Sequence, residues 1–116
     1  MNLNDAIGAH AQWKTKLRAA ITRKEKMDAV TLGRDDCCDL GRWLRGDGRR
    51  VANFAAYREV EQTHAEFHRQ AGKVAVAINA GKYEDASKML GNGTPYSDAS
   101  AAVGVAITHL KQAVPA

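Results

Sequence analysis

His64-Ala65-Glu66-Phe67-His68 sets two imidazoles four residues apart. On a helix, both rings leave one face a turn apart, and their nitrogens can grip a single metal ion. Two nitrogens do not complete a coordination shell. The candidates for the remainder are His10 and the adjacent pair Cys37-Cys38. Cys38 opens the string Cys38-Asp39-Leu40-Gly41-Arg42-Trp43-Leu44, which reads as the start of a short helix. The amide dipoles at a helix start favour a thiolate over a thiol. Three imidazoles and one thiolate make a four-coordinate, tetrahedral set of the kind Zn2+ takes readily.

Those donors need rigid elements to carry them. Apolar residues at steps of three and four run through Leu3, Ile7, His10, Leu17 and Ile21, which predicts a helix from about Asn4 to Lys26 with Asn4 or Asp5 as its cap. His10 lies on the stripe that faces the core. Met27 to Asp36 reads as a connection broken at Gly33, and the cysteine piece follows to about Leu44, ended by Gly46-Asp47-Gly48. A long helix is predicted from about Arg50 to Ala80, with Phe54, Tyr57, His64, Ala71 and Ile78 on its stripe and His68 beside it. A further helix spans Tyr83 to Leu90, and Ser97-Asp98 cap a last one to about Val114. No segment sustains a period of two. The expected fold class is therefore all-α: an antiparallel four-helix bundle with an additional short helix that carries the cysteine.

The 116 residues fit one domain, 1–116. Aromatics are only 6%, so the core must be built mainly from Ala, Val, Ile and Leu. The net charge of +4 is mixed along the chain, with no dense basic stripe, which argues against nucleic acid as a partner. No apolar run approaches the roughly 20 residues of a membrane span. Met1-Asn2-Leu3-Asn4-Asp5 has no basic start and no apolar run after it, so no signal peptide is expected there. Two cysteines side by side are poor disulfide partners and suit a metal or redox site in the cytoplasm.

The chain resembles the chemoreceptor zinc-binding (CZB) domain family. The matching pieces are His10 with Trp13-Lys14 and Leu17, the string Cys38-Asp39-Leu40-Gly41-Arg42-Trp43-Leu44, and His64-Ala65-Glu66-Phe67-His68, over about residues 5 to 115. The resemblance implies a helical bundle that binds zinc through His10, Cys38, His64 and His68. It puts Cys38, not Cys37, at the cysteine ligand position. It also implies a homodimer, no catalytic activity, and a place beside bacterial chemoreceptors or diguanylate cyclases. There zinc occupancy or oxidation of the zinc-bound cysteine, by hypochlorite for example, would modulate chemotaxis or cyclic-di-GMP signalling.

Three histidines on long helices and Cys38 on a short piece flanked by Gly33 and Gly46-Asp47-Gly48 outline a switch in which oxidation frees the cysteine while the histidines stay. Asp36, Asp39 and Glu61 are the nearby carboxylates that could orient a ligand imidazole, and Trp13 and Trp43 are expected to pack round the site. His109 reads as a surface or packing residue. The alternatives are a purely structural, zinc-stabilised interaction module and a di-iron protein on a four-helix bundle. Glu61 and His64 form one of the Glu-x-x-His pairs a di-iron site requires, but a second pair is missing. A zinc hydrolase would need an open coordination position, which four protein ligands deny.

Overall fold

The computed structural model describes residues 1–114. They form six α-helices and no strand: α1 Leu3–Arg23, α2 Ala29–Leu32, α3 Asp39–Arg45, α4 Ala55–Asn79, α5 Tyr83–Met89 and α6 Pro95–Ala113, with a single 3₁₀ turn at Asp47–Val51 between α3 and α4. The caps explain the boundaries. Asn2, not Asn4 or Asp5, starts α1, its side chain accepting from the Asp5 amide at 3.2 Å. Thr94 caps α6, ahead of the expected Ser97-Asp98, and Pro95 follows as the first helical residue. Proline suits that position because its fixed φ is already helical and its missing N–H would have had no partner. Asp28 caps α2, whose four residues fall inside the segment read from sequence as a connection.

α1, α4 and α6 form the body. Lys111 near the end of α6 donates to Asn4 at the start of α1, and His109 of α6 meets Glu59 near the start of α4. α6 therefore runs antiparallel to both. Met27, just past α1, is bonded through its N and its O to the side chain of Asn79, the last residue of α4. α1 and α4 therefore run parallel, and the chain between them retraces the bundle as α2, α3 and the 3₁₀ turn. That segment is broken, as its glycines led one to expect, and of the four helices expected for the bundle the one over Tyr83 to Leu90 is the short α5. Four glycines, at 33, 41, 46 and 48, lie in that returning segment, each costing about 1 kcal/mol against alanine inside a helix. α5, at seven residues, is only a link between α4 and α6.

The long dimension of the molecule, 45 Å, is set largely by α4, whose 25 residues rise about 37 Å. Its stripe of Val60, His64, Phe67, Ala71, Val74 and Ile78 is buried against Leu17 of α1 and Val103, Ile107 and Leu110 of α6. Each large side chain so buried contributes roughly 1.5–3 kcal/mol. In this apolar setting the three buried histidines His10, His64 and His68 stand out. No helix is long and apolar enough to cross a membrane among the described residues.

Candidate metal centre

His10 from the first half of α1, Cys38 at the start of α3, and His64 and His68 from the middle of α4 converge. One donor atom from each lies within 4.8 Å of the others. His64 Nε2 is 3.0 Å from His68 Nε2 and 3.2 Å from Cys38 Sγ, and Cys38 Sγ is 3.9 Å from His10 Nε2. Zinc bond lengths to nitrogen and sulfur define a tetrahedron with N···N edges of about 3.3 Å and N···S edges of about 3.6 Å. The observed separations straddle those edges, so the donor set fits such an ion in both chemistry and size.

Two of the rings are locked in the tautomer this requires. His10 Nδ1 lies 2.7 Å from the Ala6 carbonyl, and His68 Nδ1 lies 2.8 Å from the Leu32 carbonyl. A carbonyl only accepts, so each Nδ1 carries the proton and each Nε2 turns a lone pair toward the cluster. Burial lowers the pKa of all three histidines, and the neighbouring rings push His64 further, to about 3. All three are therefore neutral, the form that ligates, at ordinary pH. Edge-on packing of Phe67 against His10 and His68, with centroids 5.2 and 5.3 Å away, fills one side of the cluster.

Cys38 caps α3 with its sulfur, which accepts from the Gly41 amide at 3.4 Å. Burial raises its pKa, and the amides of Gly41 and Leu40 oppose that shift. The thiolate is the ligating form, and cation binding here is linked to loss of the thiol proton. Cys38 is half-buried, unlike the three histidines, and borders two clefts. One, of about 250 Å³, is lined by Trp13, Met27, Leu32, Cys37 and His68; the other, of about 370 Å³, by Ala6, Ala9, His10 and Leu40.

The remaining expectations divide. Asp36 accepts from Arg34 and from the Cys37 thiol, which hold its carboxyl at about 2, and Asp39 pairs with Arg42. Glu61 is exposed. None of the three carboxylates orients a ring; backbone carbonyls do that, and they carry no signature in sequence. Cys37 turns to Asp36 and stands outside the cluster. Trp13 borders the site, whereas Trp43 packs over Gly48 and faces a cleft with Leu3 and Val114. His109 is exposed and pairs with Glu59 at 3.0 Å. Gly33 and Gly48 are packed against backbone and the Trp43 ring, so they provide close approach and not free hinges.

Comparison with protein-family models gives a match. The family described as the chemoreceptor zinc-binding domain matches residues 10–75, more than half of the chain and a span that holds all four donors. No curated protein and no solved structure matches.

Proposed function

Because this chain belongs to the chemoreceptor zinc-binding domain family, we propose that it is a zinc-holding regulatory domain, ligated by His10, Cys38, His64 and His68, in which Cys38 is the responsive ligand. The observation that carries this reading is the convergence of three neutral imidazoles and one thiol within 4.8 Å, with two Nε2 lone pairs aimed inward by carbonyl bonds. When bound, zinc supplies a fixed positive charge that favours the Cys38 thiolate. Four protein donors leave no open position for a substrate or water, which supports a role without catalysis.

Cys38 is the ligand reached from solvent, and it belongs to a seven-residue helix, while the histidines sit on α1 and α4. Attack of its thiolate on hypochlorous acid would give the sulfenic acid and chloride, weakening the sulfur as a ligand. α3 would then be free to shift while three imidazoles stay in place. We extend the proposal to the rest of the assembly: residues 1–116 act as one domain in the cytoplasm, form a homodimer, and pass zinc or oxidant state to a chemoreceptor or diguanylate cyclase type partner.

Metal quantitation on wild type and Cys38→Ser tests the first part. About one zinc per chain, held at least tenfold more weakly in the variant, is expected; no zinc in either sinks the reading. Hypochlorite treatment of the zinc form should oxidise Cys38 and raise amide exchange in α3. A closed four-ligand shell also suits a permanently structural zinc. In that case hypochlorite would leave α3 unchanged at doses that oxidise exposed methionine.

A further inference from the structure

α2 is only four residues long, yet it reaches the metal centre, because the Leu32 carbonyl accepts from His68 Nδ1 at 2.8 Å. That bond requires the end of α2 to lie directly on α4. The approach is made at Gly33 and Gly72. A Cβ on Gly72 would stand 2.8 Å from Gly33 Cα and 3.3 Å from Gly33 N, backbone atoms that cannot swing aside. Gly72 is buried and lies four residues after His68, one turn along the same face of α4. Its φ is not positive, so its backbone does not need glycine. Helix propensity favours alanine at such a place. The missing methyl is therefore clearance for α2. Asn79 holds the same segment from its other end, bonding Met27 N and O at 2.8 Å each.

We propose that the Gly33–Gly72 contact is a positioning element for the metal centre: it seats α2 so that the Leu32 carbonyl fixes His68 with its Nε2 lone pair toward the other donors. The inference rests on the zinc reading given above. It makes α2 a second element coupled to the metal, independent of Cys38. The coupling is reciprocal: displacing α2 weakens metal binding, and metal binding holds α2 down. Val30, 76% exposed, puts this coupled element on the molecular surface.

The test compares wild type with Gly72→Ala, Gly33→Ala and Gly104→Ala. Zinc Kd is measured by chelator competition, the His68 tautomer by ¹⁵N ring signals, and exchange of the 29–33 amides with and without zinc. We expect zinc to bind roughly tenfold or more weakly in Gly72→Ala and within about threefold of wild type in Gly33→Ala, as for loss of a ligand-orienting bond. The smaller effect follows because a Cβ on Gly33 would meet its nearest atom, the Ala29 carbonyl oxygen, at 3.2 Å. Gly104→Ala, where no atom lies within 4 Å, should match wild type. The Nδ1–H tautomer of His68 should be lost or mixed in metal-free Gly72→Ala, a change that mere loss of stability does not produce. Zinc should slow exchange at 29–33 in wild type. Equal zinc Kd in Gly72→Ala and wild type overturns the inference, and so does unchanged exchange at α2 in wild type, a result that stands even if the variant fails to fold. A wild type without zinc overturns the zinc reading and this inference together; a wild type that binds zinc with an indistinguishable Gly72→Ala overturns the inference alone.

Discussion

Cys38 and Cys37 are neighbours in the chain with opposite surroundings. Cys38 turns into the cluster, and Cys37 donates a hydrogen bond to Asp36. Cys37→Ser should therefore keep zinc at wild-type affinity, and metal analysis of that variant beside Cys38→Ser separates the two thiols. The histidines carry a pH dependence whose sign follows from burial. Their folded pKa values lie below the ordinary value of 6.5. Below about pH 6.5 the unfolded chain thus binds more protons than the folded one, so stability rises with pH there and is lost on acidification. Metal-free protein should show a urea midpoint that falls steadily from about pH 7 downward, with His64 resisting protonation until about pH 3. His64→Gln should flatten the profile; a flat wild-type curve would contradict the burial argument. The grouping of His10, His64 and His68 was legible in sequence because spacing and stripe position are side-chain properties, whereas Cys38 was singled out from Cys37 by the family string it opens. The carbonyls of Ala6 and Leu32 were not, because every residue carries one and only the fold selects which is used.

Among the elements, α3 is the most sharply constrained. A Cβ on Gly41 would fall 1.9 Å from the Asp35 carbonyl oxygen, so the turn before α3 closes only over glycine. Gly41→Ala should push α3 outward, draw Cys38 from the cluster and destabilise the fold by about 1–3 kcal/mol. Cobalt substitution reads this directly, since the sulfur-to-cobalt absorption should vanish while histidine-bound cobalt remains. Asn79→Ala should cost about 1–2 kcal/mol through two lost hydrogen bonds to Met27, measured by denaturant unfolding. The long helices were legible because their 3.6-residue stripes span several turns. Their caps were misplaced by two to four residues, at Asn2 and Thr94, because several side chains able to cap stood within a few residues of each start. α2 was missed because four residues are too few to show a period, although Asp28 offered a cap.

For the molecule as a whole, zinc ties α1, α3 and α4 together in the proposed site and should stabilise the folded state alone. At free zinc 100-fold above Kd the gain is about 2.7 kcal/mol. For a chain of this size that is a rise in melting temperature of roughly 10–20 °C, reversed by a chelator. Sedimentation at several concentrations tests the proposed homodimer, which should appear as a concentration-dependent rise in mass. Helix direction was the least legible property: a stripe identifies the face a helix buries but not which way its neighbour runs, so the parallel pairing of α1 with α4 appeared only in the structure. That pairing also orders events in time. α4, α5 and α6 follow one another and can close a hairpin from local contacts, whereas Met27 must find Asn79 across 52 residues. Amides of α4 and α6 should therefore gain protection before those of α1 in pulse-labelled refolding. His64 and His68 stand on the early part, and His10, Cys38 and the Leu32 carbonyl arrive with the late part. A complete set of four donors is then the last thing a newly made chain acquires, and it marks maturation of the entire chain.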